Sequence, residues 1–169
     1  MVLRQEQEAD FPAIYDLVKT AFQTAKVSNG DEQNFVTRLR AGGSYIPELA
    51  LVAEAAGQLV GHIMLTRTSY TAASGPQPLL LLGPLAVILE RRAQGLGGRL
   101  IQAALGRARA QGHKAVILVG DPAYYHRFGF KPAISFGIAN TEGIPDENVM
   151  AWELIPGALD KPGEISFFS

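Results

Sequence analysis

Arg91-Arg92-Ala93-Gln94-Gly95-Leu96-Gly97-Gly98-Arg99 is the stretch on which the reading of the fold turns. Before it stands a nearly continuous apolar run, Leu79–Leu89, with the composition of a strand covered on both faces. After it, apolar residues fall at 96, 100, 101, 104, 105 and 108, the spacing of an amphipathic helix closed by Gly112. Small residues at a helix start expose backbone N–H groups that have no intrahelical partner. Together with the helix dipole these form a cradle for an anion, and the missing Cβ atoms let a phosphate come close. Arg92 and Arg99 are placed to add charge-assisted contacts. Three glycines flanked by arginines at a strand-to-helix junction therefore predict a phosphate-binding turn.

Outward from that turn, Val2–Gln5 reads as a short first strand. Asp10-Phe11-Pro12 reads as an N-cap and first turn, followed by Phe11, Ile14, Leu17, Val18 and Phe22 at helical spacing. Val27-Ser28-Asn29-Gly30 is a break, and a second helix is expected from Asp31 to Gly42-Gly43. Leu49–Ala55 and Gln58–Thr66 predict a hairpin joined at Ala56-Gly57, and Ala72–Pro76 a loop. Gly83-Pro84 interrupts the apolar run and predicts a bulge, because proline cannot donate to a ladder. Lys114–Val119 reads as a buried strand. Asp121-Pro122 opens a short helix with Tyr124 and Phe128 stacked at i,i+4. Ile134–Ile138 and Val149–Leu154 are further strand candidates, before a tail ending in Ile165–Phe168. Hairpins beside one strand-helix-strand unit predict an α+β domain with a mixed sheet. No repeat or linker-like composition divides the sequence, so a single domain over residues 1–169 is expected.

Composition narrows the function. The chain has 169 residues, 47% of them hydrophobic, which excludes wholesale disorder. A net charge of −1 excludes nucleic-acid binding by bulk positive charge. No cysteine is present, which removes disulfides, Cys-containing zinc sites and thiolate nucleophiles. His62, His113 and His126 lack metalloenzyme spacing, so no metal is expected. The N-terminus turns charged at once, and Pro78–Leu89 is too short to span a bilayer, so a soluble, cytoplasmic protein without membrane partners is expected. Charge is unevenly spread: residues 1–89 carry −2, residues 90–131 carry +6 and residues 132–169 carry −5. A basic block between acidic ones points to a localised anion site.

The turn is not a P-loop, since no Lys-Ser or Lys-Thr pair follows its glycines. A G-x-G-x-x-G fingerprint starting at Gly95 fails at its last position, which is Leu100. Asp121 stands at a tolerable separation for a ribose contact, which leaves a dinucleotide-binding domain as an alternative. The residues resemble the GNAT superfamily of acetyl-CoA-dependent N-acetyltransferases, and within it the bacterial YhbS-like branch. The family signature Q/R-x-x-G-x-G/A is matched by Arg92-Ala93-Gln94-Gly95-Leu96-Gly97, preceded by Leu82-Gly83-Pro84-Leu85-Ala86-Val87. The later segment F-Y-x-x-x-G-F is matched by Tyr124-Tyr125-His126-Arg127-Phe128-Gly129-Phe130, one strand further on. The resemblance implies a mixed, mostly antiparallel sheet of about seven strands, with helices on both faces and a splayed parallel strand pair.

It also implies a chemistry. Acetyl-CoA would lie along Leu85, Ala86 and Val87, with its pyrophosphate on the turn from Arg92 through Ala93, Gln94, Gly95, Leu96, Gly97 and Gly98 to Arg99. An amine attacks the thioester directly, so the protein needs no nucleophile of its own. Tyr125 matches the family's general acid for the departing thiolate; on a helix it points about 100° away from Tyr124, off the apolar stripe. Glu32, Glu54 and His62 are the candidate bases, with a water chain as the alternative. Acids at Asp31, Glu32, Asp146, Glu147 and Glu153 suggest a cationic acceptor, a small amine or a peptide amino group. A homodimer is compatible with this reading. A CoA-binding sensor without turnover is the competing reading from another functional class.

Overall fold

The computed structural model describes residues 1–25 and 28–167; Val27 of the expected break and Phe168 of the tail lie outside them. In chain order the elements are β1 (Val2–Gln5), α1 (Phe11–Ala21), α2 (Glu32–Ala41), β2 (Tyr45–Ala55), β3 (Gln58–Ala72), β4 (Gly75–Leu82) and β5 (Ala86–Val87). There follow α3 (Leu96–Ala110), β6 (Ala115–Val119), α4 (Pro122–Tyr125), β7 (Lys131–Pro132), β8 (Ile138–Asn140), β9 (Val149–Glu153) and β10 (Gly163–Ile165). The architecture is α+β with mixed strand pairing, as expected. The strands number ten among the described residues because β7, β8 and β10 are short and the expected central strand is split into β4 and β5. No helix among the described residues is long and apolar enough to cross a membrane.

The chain divides into two compact units, Met1–Thr66 with Leu82–Ala108, and Arg67–Leu81 with Arg109–Ser169. In the first, β1 pairs antiparallel with β2, β2 with β3, and β3 with β5. The β2–β3 turn places Ala56 and Gly57 at φ 52° and 77°, the two left-handed residues of a tight hairpin turn. Adjacent strand residues face opposite ways. Gly61 faces α3, where an added Cβ would come within 2.8 Å of Leu100 Cδ1. His62 faces the other way, towards Glu6 and α2. Helices thus cover both faces. On the α1–α2 face, Ile14, Leu17, Val18 and Val36 pack with Ala50, Val52, Met64 and Ala86.

In the second unit, β4 and β6 run parallel through Leu80↔Val116 and Leu81↔Ile117. Antiparallel β9 joins β6, and β7 joins β9. Strand β10 pairs antiparallel with the end of β3 and parallel with β8. Tyr70, Leu79, Ile117, Ile138, Val149, Leu159 and Ile165 form its core. Two expectations are corrected here. The loop expected at Ala72–Pro76 is a tight turn, since β3 runs to Ala72 and β4 starts at Gly75. The strand expected at Ile134–Ile138 is a 3-10 turn over Ala133–Phe136, closed by Gly137 at φ 80°; only Ile138 continues into β8. Ile134 is largely exposed, so its apolar character did not signal burial. Asp10 stands at the N-cap of α1 as expected, but its carboxylate takes Arg4 and the Gln7 N–H rather than an amide of that helix.

One polar cluster is buried in the first unit. The Glu6 carboxylate accepts from Arg40 Nε at 2.8 Å and Nη2 at 3.0 Å, and from the Tyr45 hydroxyl at 2.7 Å. His62 Nε2 lies 2.9 Å from it. The Arg40 guanidinium also stacks 3.8 Å over the Phe11 ring. Burial alone would raise the Glu6 pKa, but the hydrogen bonds from His62, Arg40 and Tyr45 outweigh it and hold the group at about 2. This carboxylate ties the β1–α1 connection, α2, β2 and β3 together. Its stabilisation is complete above the ordinary value of 4.5 and is lost as pH falls through about 2. Glu6→Gln is expected to lower stability at pH 7 by about 3 kcal/mol, because Arg40 then keeps a half-buried charge without its partner. Denaturant melts from pH 7 to pH 2 should show a smaller stability loss in that variant than in the wild type.

Candidate active site

The two sequence motifs lie in different units, and each builds its own local geometry. In the first unit, the Gly83 N–H donates to Met64 O at 2.7 Å, while Ala86 pairs with His62 and Val87 with Gly61. From Gly83 to Ala86 is three steps, against two from Met64 to His62. The extra residue is the bulge expected from Gly83-Pro84. The ladder then resumes, with the Ile88 N–H bonding Val60 O at 3.0 Å.

The chain leaves β5 through a 3-10 turn at Leu89–Arg91 and reaches α3 by two left-handed residues, Ala93 at φ 62° and Gly95 at φ 79°. Gly95 takes this conformation without penalty, whereas at Ala93 the Cβ makes it strained. Gln94 Nε2 returns to Glu90 O at 3.1 Å, which braces the turn. The Arg99 N–H bonds Gly95 O at 3.1 Å, the first full helical bond of α3. The amides of Leu96, Gly97 and Gly98 precede it and have no intrahelical acceptor. Leu96 and Gly97 are buried, Gly98 is half-buried, and Arg99 is exposed. Three convergent amides without side chains at two of the positions, on a fifteen-residue helix, fit a phosphate group. Arg92, expected beside the same anion, has other partners: Ala21 O and Thr24 Oγ1, both at 2.6 Å, and Val87 O at 3.4 Å.

In the second unit, β6 ends at Val119, which is 39% exposed although β6 is otherwise buried. The Gly120 N–H bonds Asn148 O at 2.9 Å. Asp121 caps α4 as expected, its Oδ1 accepting from the Ala123 N–H at 3.0 Å. Tyr124 meets Phe128 edge-on, with ring centroids 5.3 Å apart, and Arg127 lies over the Tyr124 ring. Tyr125 does point elsewhere. Its ring is edge-on to Tyr124 at 5.1 Å and to Phe130 at 5.9 Å. It lies against Gly120, where an added Cβ would come within 2.6 Å of the ring. Gly120 is therefore required by the tyrosine, a role that no motif in the sequence signalled. Gly129, the glycine of the motif itself, leaves room in turn for the Trp152 ring. Burial, with smaller effects of Tyr124 and Asp121, pushes the Tyr125 phenol well above its ordinary range. It therefore carries its proton throughout the neutral range.

The three candidate bases are all engaged, and they are not brought together. Glu32 accepts from Ser28 Oγ at 2.9 Å and the Asn29 N–H at 3.1 Å, bracing the start of its own helix. Glu54 pairs with Arg4 Nε at 3.2 Å across β1 and β2. His62 is fully buried in the Glu6 cluster. Because a carboxylate only accepts, Nε2 carries the imidazole hydrogen, and Nδ1 has no partner among the described residues. Of the acids expected to face an acceptor, Asp31 is bonded to Asn34 and Arg38, and Glu153 accepts from the Leu159 N–H. Asp146 and Glu147 are exposed. Among the described residues no group of three or more His, Asp or Glu side chains could hold a metal ion.

Known proteins share this fold. The family model described as an acetyltransferase (GNAT) domain matches residues 2–133. The N-acetyltransferase YjhQ of Escherichia coli is 36% identical over 122 residues, which are 72% of this chain and 67% of YjhQ. The crystal structure of the E. coli GNAT family N-acetyltransferase YhbS in complex with CoA superposes with a TM-score of 0.84 at 26% identity, over 98% of this chain and 88% of that one. A GNAT family acetyltransferase from Brucella melitensis, solved in complex with acetyl-CoA, gives a TM-score of 0.72 at 30% identity, over 92% and 88% of the two chains. The bulged strand, the glycine turn and the Tyr-Tyr-x-x-x-Gly-Phe segment thus stand on a fold held in common, and the chain belongs to the GNAT family of N-acetyltransferases.

Proposed function

We propose that the chain acts as one acetyltransferase domain over residues 1–169, moving the acetyl group of acetyl-CoA to a primary amine of a small molecule or peptide. The observation that carries the donor assignment is the turn that opens α3. Its left-handed residues aim the free amides of Leu96, Gly97 and Gly98 out of a helix start, where a pyrophosphate gains both hydrogen bonds and the dipole. The Gly95 amide and the Arg99 guanidinium complete that cradle. The YhbS and Brucella structures, solved with CoA and acetyl-CoA, support the same donor.

In this reading the backbone at Leu85, Ala86 and Val87 holds the amide-rich arm of the donor, which the bulge at Gly83-Pro84 leaves room to bind. A backbone N–H around Val87 polarises the thioester carbonyl. The neutral amine attacks that carbon, the C–S bond breaks, and the thiolate takes the Tyr125 phenolic proton; solvent then reprotonates Tyr125. A phenol whose pKa is raised by burial donates uphill to a thiol of ordinary pKa ~8.5, so its contribution is positional. The proton of the attacking amine leaves to water, since Glu32 and Glu54 are committed to protein partners and His62 is fully buried in the Glu6 cluster. Exposed Asp146 and Glu147 favour a cationic acceptor over an anionic one.

Isothermal titration with CoA, paired with thiol release from acetyl-CoA over a panel of amines, tests this directly. CoA binding and amine-dependent release are expected, with amines outperforming acidic amino acids and the KM of the best amine rising with salt. CoA binding without release for any amine would leave a sensor. Tyr125→Phe is expected to lower kcat by roughly 10²–10⁴ with CoA affinity unchanged, while Tyr124→Phe is nearly silent. Equal losses in the two variants would remove Tyr125 from the role of acid.

A further inference from the structure

We propose that Arg92, at the first position of the glycine signature, is a positioning residue that clamps the donor-binding segment to the end of α1 rather than a ligand of the phosphate. The inference rests on the donor reading above. All three hydrogen bonds of its side chain run inside the protein. Nη2 reaches Ala21 O and Nη1 reaches Thr24 Oγ1, each at 2.6 Å, and Nε reaches Val87 O at 3.4 Å.

Each partner gives the clamp a reason. Ala21 is the last residue of α1 and the N-cap of a 3-10 turn over Phe22–Thr24, so its carbonyl stands at the C-terminal end of α1 and has a second lone pair for the guanidinium. A guanidinium there makes a charge-assisted bond at the negative end of the helix dipole. No acid stands in the first turn of α3 to hold the arginine towards that helix instead. Val87 is the last residue of β5, so the same side chain fixes the strand on which the thioester is expected to lie. The next residue, Ala93, has φ 62°. A non-glycine residue held in that region persists only where its surroundings over-determine it, and Arg92 is the anchor immediately before it. The fork of the guanidinium thus sets the β5 backbone and the cradle of amides in one arrangement before the donor binds. That preorganisation lowers the ordering cost of binding. Lysine has one nitrogen and no fixed fork, so it cannot hold all three acceptors in this geometry.

The test compares acetyl-CoA with acetyl-pantetheine, a thioester that lacks the pyrophosphate, in the wild type, Arg92→Ala, Arg92→Lys, Thr24→Val and the Arg92→Ala/Thr24→Val double variant. Melting temperatures establish that each is folded, and Thr24→Val removes one bond at an exposed residue should Arg92→Ala fail to fold. The expected result is that Arg92→Ala lowers kcat/KM by a similar factor, about tenfold or more, for both thioesters. Arg92→Lys should be only partly rescued. Thr24→Val should cost less alone and add nothing to Arg92→Ala, the non-additivity of a shared interaction. If Arg92→Ala impairs acetyl-CoA while acetyl-pantetheine is used as well as by the wild type, Arg92 is a phosphate ligand and the clamp is overturned. Loss of melting temperature with unchanged kinetics for both thioesters overturns it as well. Failure of the wild type to bind CoA removes the donor reading and the clamp with it, a result separable from either of the others.

Discussion

Pro84 has no amide hydrogen, and the rest of the candidate donor site depends on that absence. A strand running straight from Leu79 to Leu89 would pair with β3 along its whole length and commit its backbone to the ladder. Instead, pairing stops at Gly83, one residue is extruded, and it resumes at Ala86 and Val87. The bulge sets the register in which the chain reaches the 3-10 turn at Leu89–Arg91 and then the left-handed pair, Ala93 and Gly95. Backbone geometry rather than side-chain chemistry therefore makes the cradle proposed for the anion. Such a site needs no cysteine, no metal-ligand cluster and no dedicated lysine.

Around this backbone device, two of the first unit's polar fastenings work differently. The Glu6 cluster is deep, with the carboxylate and His62 wholly enclosed, and it fixes four segments to one another. A buried charge of this kind is worth most as a constraint, because any arrangement that separates Glu6 from Arg40 leaves an unpaired ion out of water. The Arg92 fastening is shallower and joins fewer parts, but those are the end of α1, the end of β5 and the start of the turn. One cluster secures the frame; the other sets a detail of the site within it.

The tyrosine segment follows a different logic. Tyr125 gains its orientation from aromatic neighbours and from a glycine that leaves space for its ring. Burial raises its pKa, which keeps the proton in place but makes it harder to give up. In the proposed role of proton donor, Tyr125 would contribute by position rather than by acidity. The same packing leaves Tyr124, with Phe128 and Arg127, to a structural role.

Much of this was written locally. The 96–110 helix, the Ala56-Gly57 hairpin, the Asp121 cap and the Gly83-Pro84 bulge all follow from short-range rules, in which spacing, turn conformation and the missing proline amide act within a few residues. The two motifs and their order were equally legible, since they depend on backbone conformations that few residue types permit. Where apolar pattern and burial part company, as at exposed Ile134, the sequence misled. The long-range partners of the charged side chains could not be read at all. Glu6 finds Arg40 across 34 residues and His62 across 56, and Arg92 reaches Ala21 across 71. An ionic side chain chooses among every acceptor that the folded chain brings within about 3 Å, and that set exists only once the strands and helices have packed. The sequence by itself determined the elements and the chemistry available at the turn and at Tyr125; the tertiary structure decided which charges were left to meet a substrate and which were consumed in holding the protein together.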